Sequence, residues 1–325
     1  MKEFIIKILL FILPIILLSV PLDWYLSNFF SKCSSVSFVA DEFSVWNDIY
    51  DKKIDADIAV YGSSRAYVHF NTPLITDSLG HEAYNFGVDG HNFWIQYLRH
   101  KEYLKNNRPP KVIILAVDYS TLQKRNDLYN YNQFLPYMLW NNDIMNYTSS
   151  YIGFQNQEFK IPLLRYMGEF NFFKNGIMLS LKNKNTLERR QKGFAGIDKK
   201  WNNDLIEAKN KNQSYKVVFD EETCKLFDRF LGECIDNDIT VLMVYAPIYF
   251  EGLTYIENSA EVLDTLKFFA AKYKLDFLDY SKNEICYNKS YFYNSIHLNR
   301  TGADLFTNKL IQDLKNTNAQ QRLKR

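Results

Sequence analysis

The sequence predicts an α/β protein, three layers deep (α/β/α) around a five-stranded parallel sheet, with a transmembrane helix ahead of it. Three observations predict this. Five short strand-like runs occur, at Ile58–Tyr61, 83–86, Val112–Val117, 239–245 and 275–278. The longest of them are apolar almost throughout rather than alternating, the pattern of strands covered on both faces. Between the runs lie segments with apolar residues at helical spacing, and such alternation builds a parallel sheet flanked by helices.

The first element is a run from residue 4 to 22 whose only internal charge is Lys7. As an α-helix, about 19 residues cover roughly 28 Å, close to the hydrocarbon thickness of a bilayer. Lys2 and Lys7 lie at its start, so the positive-inside rule leaves the amino terminus in the cytoplasm and the rest of the chain outside it. Leu18-Ser-Val-Pro-Leu22 offers no small-x-small cleavage site, which favours an uncleaved anchor over residues 1–27. Trp24 and Tyr25 suit the interfacial belt just past it. Residues 28–55 read as a stalk and a first helix.

The α/β domain is expected over residues 56–325. Thr72–Leu79 reads as a short helix. Trp94, Tyr97, Leu98 and Tyr103 set a helical face over 92–106, which Arg108-Pro-Pro110 breaks. Residues 120–215 lose the strand signal and are read as an insertion or cap. Within them, residues 182–200 hold seven basic and two acidic residues. A solvated face and a surface for an anionic polymer or phospholipid headgroups both fit that charge. Asp220 is placed to cap a helix running to about 236. Val262, Leu263, Leu266, Phe269 and Ala270 share one face over 258–273. A last helix covers 301–314.

Composition narrows the function. At 325 residues and 47% hydrophobic content, the chain can bury one large core or two smaller ones. A net charge of +2 gives no surplus for nucleic acid. The four cysteines form neither a disulfide framework nor a zinc spacing: Cys224 and Cys234 fall on one helix, about 15 Å apart along its axis, too far to bridge.

Ile58-Ala-Val-Tyr-Gly-Ser-Ser-Arg65 is the stretch that carries chemistry. A buried strand stops at a glycine and delivers two serines where a helix begins. Ligands bind past that end of parallel strands, and a helix N-terminus has backbone N–H groups free to hold an oxyanion. Capping of the helix by Ser63 and Ser64 fits the same residues. Asn85-Phe-Gly-Val-Asp-Gly90 follows the second strand with glycines that let a backbone N–H approach a ligand, or simply make a turn. Asp118 ends the third strand, where its carboxylate either points into the site or ties the following loop. His297 sits in a loop between the last strand and the last helix, on the same sheet edge as Ser64.

Together these pieces resemble the SGNH (GDSL-type) hydrolase family. Gly62-Ser-Ser64 is similar to its first block, with Ser64 in the nucleophile's place and Ser63 where the family has Asp. Val88-Asp-Gly90 is similar to the second block, and Asn294-Ser-Ile-His297 stands where the family has Asp-x-x-His. The resemblance covers roughly 56–118 and 239–314. With the anchor, it points to an extracytoplasmic branch that includes alginate O-acetylation proteins and the D-alanyl transfer protein of teichoic acid modification.

The resemblance implies a flavodoxin-like sheet and a serine mechanism without cofactor or metal. Ser64 would be the nucleophile, His297 the base and Asn294 its orienter. Ser64 and Gly90 would form the oxyanion hole, with Asp118 or Asn92 in the position of its third donor, which the family takes from an Asn. Arg65 is a candidate contact to an anionic substrate group or to a core carboxylate. Asn294 replaces a carboxylate, and Asp279 is another carboxylate in that half of the chain. The expected activity is acyl transfer, O-acetyl or similar, onto a cell-envelope polysaccharide, with a membrane-bound O-acyltransferase as a candidate partner. A carbohydrate esterase and a non-catalytic glycan-binding or scaffold protein are the alternatives.

Overall fold

The computed structural model describes residues 2–33, 40–169, 171, 173–174, 178, 190–211 and 214–325. It divides into two compact units, Met1–Asn47 with Asn126–Leu187, and Asp48–Arg125 with Glu188–Arg325. In chain order the elements are α1 (Lys2–Cys33), α2 (Ala40–Tyr50), β1 (Ile58–Tyr61), α3 (Ser64–His69), α4 (Thr72–Leu79), β2 (Ala83–Asn85), α5 (Phe93–Asn106), β3 (Val112–Val117) and α6 (Asn142–Thr148). They continue with α7 (Asp204–Asn210), α8 (Glu221–Asp236), β4 (Thr240–Tyr245), α9 (Phe250–Leu253), α10 (Ser259–Lys272), β5 (Asp276–Asp279), α11 (Arg300–Leu314) and α12 (Asn318–Leu323).

The second unit holds the sheet. All pairings are parallel, and the strand order is β2-β1-β3-β4-β5, the doubly wound flavodoxin-like order. Side chains alternate across the pleat. Ile58, Val60, Val112, Ile114, Leu242 and Val244 meet Ala66 and Phe70 of α3, Ile75 of α4, Phe306 and Leu310 of α11 and Ala319 of α12 on one face. On the other face Tyr61 packs on Phe230 of α8, whose Phe227 meets Phe93 of α5 and Phe269 of α10. Both faces are therefore covered, which is why the strands read as apolar runs. The expected strands at 83–86 and 239–245 each differ from the observed one at one end by a single residue, and the strand expected at 275–278 is shifted by one residue, to 276–279.

The edge of β2 is closed by a return of the chain. Asn85 donates its N–H to the carbonyl of Lys192 at 2.9 Å, and Ala195 donates to Tyr67 at 2.9 Å. Covering an edge in this way removes a template for pairing with another chain. The basic run at 182–200 lies outside the described residues up to position 189. Past it, Arg190 donates to the Gly87 carbonyl at 2.9 Å and stacks over Tyr67, and Lys192 pairs with Glu82. These two cations are tied to the α/β unit.

The first unit contains α1, whose stretch Leu10–Lys32 is long and apolar enough to cross a membrane. The helix continues through Pro14 and Pro21 and past residue 27 to Cys33, so the segment read as stalk begins inside it. The division between the two units runs through residues 120–215, with 126–187 grouped with α1 and 188–215 with the sheet. Cys224, Cys234 and Cys286 are free thiols, and Cys286 lies in a 3₁₀ turn (Glu284–Tyr287) with its Sγ directed at the Tyr280 carbonyl.

Candidate active site

Gly62 makes the turn that delivers the two serines. Its φ is +149°, and a Cβ built there would stand 2.6 Å from the Ala116 carbonyl oxygen and 2.8 Å from the Ala66 Cβ. Only glycine lets β1 run so close to β3 and then enter α3. Ser63 is the N-cap of α3: its Oγ accepts the Arg65 N–H at 3.3 Å and donates to Asp118 Oδ2 at 2.5 Å. The two serines thus divide the work. Ser63 caps, and Ser64 is left at the first helical position with its hydroxyl free for chemistry.

Ser64 Oγ lies 2.8 Å from His297 Nε2, although 233 residues separate them. His297 Nδ1 lies 3.1 Å from Asn294 Oδ1. The same Oδ1 accepts the backbone N–H of Ile296 at 3.1 Å and of His297 at 2.8 Å. Two N–H donors demand an oxygen, so the amide cannot be turned the other way. The oxygen facing Nδ1 then fixes the proton there, leaving Nε2 as an acceptor for the Ser64 hydroxyl. This is the tautomer a general base needs. The ring of Tyr293 stacks on His297 with an interplanar angle of 2°.

The loop that holds this arrangement is self-braced. Phe292 and Leu298 bridge antiparallel, Tyr293 donates to the His297 carbonyl, and Asn299 caps α11 through the Gly302 N–H. It is also held from α3. His69 is fully buried, and its Nε2 accepts the Leu298 N–H at 3.0 Å. One short helix therefore carries Ser64 at its start and grips the neighbour of His297 at its end. The sequence reading did not single out His69. Its place five residues after Ser64 was visible, but its partner, 229 residues away, was not.

Burial, then the nearby Arg65 charge, push the imidazole of His297 down to about 3, against a smaller opposite pull from Asp118. Burial, with Arg65 and His297 behind it, also holds His69 well below the ordinary histidine range. Both rings are neutral at pH 7. Arg65 itself is 3% exposed, donates from Nη2 to the carbonyls of Ala246 and Pro247, and stacks over Tyr245. Its partners are carbonyls, not the core carboxylate expected as one alternative.

A cleft of about 910 Å³ opens over Ser64 and Asn294, lined among others by Gly90, Asn92, Tyr119, Tyr215 and Tyr255. Gly90 has φ +67°, and neither its N–H nor that of Ser64 bonds to any described residue. Those are two free donors at the cleft wall. Asp118 is not a third. Its N–H donates to Thr121 Oγ1 at 2.8 Å, and its carboxylate accepts Ser63 Oγ and the N–H and hydroxyl of Ser120. A carboxylate so engaged anchors the turns around Ser64 and offers no hydrogen to an oxyanion. Asn92 lines the cleft, with Nδ2 donating to the Ser120 carbonyl at 2.7 Å. Asp279 lies on β5, paired with Lys267 at 3.1 Å, and takes no part in orienting His297. Among the described residues no cluster of His, Cys, Asp or Glu is arranged to hold a metal ion.

The chain matches no protein-family model and no curated protein. Among solved structures it is similar to a Bacteroides fragilis protein named as an acylhydrolase, at 14% identity and a TM-score of 0.39, over 79% of this chain and 86% of that one. It is also similar to the acetyl xylan esterase AlAXEase, at 12% identity and a TM-score of 0.40, over 79% of this chain and 99% of that one.

Proposed function

We propose that this protein is a membrane-anchored, serine-dependent acyltransferase that moves an acyl group from an ester onto a hydroxyl of a cell-envelope glycan. The observation that carries the reading is the Ser64–His297–Asn294 chain of hydrogen bonds, in the one tautomer that lets His297 take the serine proton. Ser64 Oγ attacks the acyl carbonyl as its proton passes to His297 Nε2. The N–H groups of Ser64 and Gly90 hold the tetrahedral oxyanion, and His297 then protonates the departing alcohol. In the second half His297 takes a proton from a sugar hydroxyl, which attacks acyl-Ser64 and releases the serine.

The tyrosines of the cleft support a carbohydrate acceptor, since Tyr119, Tyr215 and Tyr255 offer flat apolar faces with polar tips. The apolar span of α1, with its lysine-bearing start, supports an anchored protein whose α/β unit works outside the cytoplasm. Mass spectrometry of envelope polymers from a strain lacking the protein tests the direction of transfer. Loss of acyl groups is the expected result. Excess acylation would replace the transferase with an esterase of the same mechanism, and an unchanged polymer would leave a non-catalytic binding role.

A further inference from the structure

The first unit bears an exposed apolar surface that the chemistry above does not use. Along α1 most of the apolar side chains described between Phe4 and Leu22 stand open, with Phe11 73% and Leu18 69% exposed. At Asp23 the helix changes character. Asp23, Ser27 and Ser31, spaced one turn apart, are buried. Asp23 accepts both Arg165 Nη1 and Nη2 at 2.7 Å and the Leu163 N–H at 2.6 Å, and Ser27 shares a 2.6 Å hydrogen bond with Tyr166. Arg165 also donates to the Leu135 carbonyl from Nε. A buried bidentate pair of this kind contributes geometry more than stability. It clamps residues 161–167 onto α1 at the level where the open apolar run ends.

That clamped segment is itself apolar on its outside. Ile161 is 50% and Met167 76% exposed. Trp140, 59% exposed, is bonded to the same segment, its indole N–H to the Lys160 carbonyl at 3.0 Å and its backbone N–H to Phe159 at 2.8 Å. Trp24 and Tyr25, next to Asp23 on α1, are also exposed. Tryptophan and tyrosine at the end of an apolar span are the side chains that the headgroup region of a bilayer accommodates best.

We infer that this surface, Trp140, Ile161 and Met167 around the exit of α1, is seated in the headgroup–acyl boundary of the bilayer that α1 enters. The inference rests on α1 being a membrane span. The occupant is lipid because the patch continues a helix on which consecutive apolar side chains, Leu10 to Leu13 and then Leu17 and Leu18, are exposed around its circumference, more than a one-sided protein groove would cover. The helix exit is then a fixed joint, with the clamped segment lying on the membrane.

The test uses the full-length protein in phosphatidylcholine–phosphatidylglycerol vesicles. An environment-sensitive fluorescent amino acid is encoded in place of Met167, of Trp140, or of Leu13 in the span. Quenching by a nitroxide-bearing lipid is compared with quenching by aqueous iodide. The expected result is loss of emission to the nitroxide lipid and little loss to iodide at all three positions. Probes at 167 and 140 that respond to iodide alone, while the probe at 13 responds to lipid, would overturn the inference and leave the anchor standing. Iodide quenching at 13 as well would overturn both.

Discussion

Changing Asn294 to Asp isolates what the orienting residue does. The carboxylate would accept the same three N–H groups, from Ile296, from the His297 backbone and from His297 Nδ1, so the loop keeps its geometry. The difference is a full charge 3.1 Å from Nδ1. At an effective dielectric near 20 the bare attraction to an imidazolium is about 5 kcal/mol, and desolvating the new carboxylate cancels part of it. An opposite charge this close ordinarily moves a pKa by about 1–3 units. His297 starts near 3, held down by burial and by Arg65, and the base is the neutral ring. Raising its pKa therefore moves the acid limb of the rate profile upward, towards neutrality. Above that limb, acylation should quicken by about tenfold to a thousandfold, each pKa unit being worth about 1.4 kcal/mol. Hydrolysis of a p-nitrophenyl ester across pH 3 to 8, with kcat and KM separated, reads both effects. A variant that folds but shows neither a shifted limb nor a faster acylation would refute the role given to Asn294.

Replacing His69 with Leu removes the acceptor for the buried Leu298 N–H, at a cost of about 1–3 kcal/mol in stability. It should lower kcat more than it raises KM, and His69→Gln, which keeps an acceptor, should recover part of the loss. Equal loss in both variants would contradict a positioning role. Gly62→Ala places a Cβ against the Ala116 carbonyl at a positive φ, so the thermal midpoint should fall by the equivalent of at least about 2 kcal/mol. An unchanged midpoint would mean that the β1–α3 turn has another conformation open to it.

What the sequence disclosed follows from how local each signal is. Strands covered on both faces need apolar side chains at every position, so Val112–Val117 could be read directly. The helix from Glu221 to Asp236 announces itself through the Asp220 cap and a one-sided apolar stripe. Ser64, Gly90 and His297 were legible as blocks following strands, although their meeting depends on the order of the sheet. The direction of the Asn294 amide was not legible, because it is decided by two backbone N–H groups of its own turn. Nor were the bonds that join distant segments: Ser63 with Asp118, His69 with Leu298, Asp23 with Arg165. Each joins residues with no shared pattern. In residues 120–215 the polar and aromatic composition carries no period, and the division between the two units passes through that stretch unseen.

The most direct measurement is covalent labelling of the full-length protein with a serine-directed fluorophosphonate, which phosphonylates an activated hydroxyl and releases fluoride. The expected result is one adduct per chain, located at Ser64 by peptide mass spectrometry, absent in Ser64→Ala and slowed at least about a hundredfold in His297→Ala. Folded protein that takes up no label, or that labels equally in the Ser64→Ala variant, would contradict the assignment of Ser64 as the nucleophile.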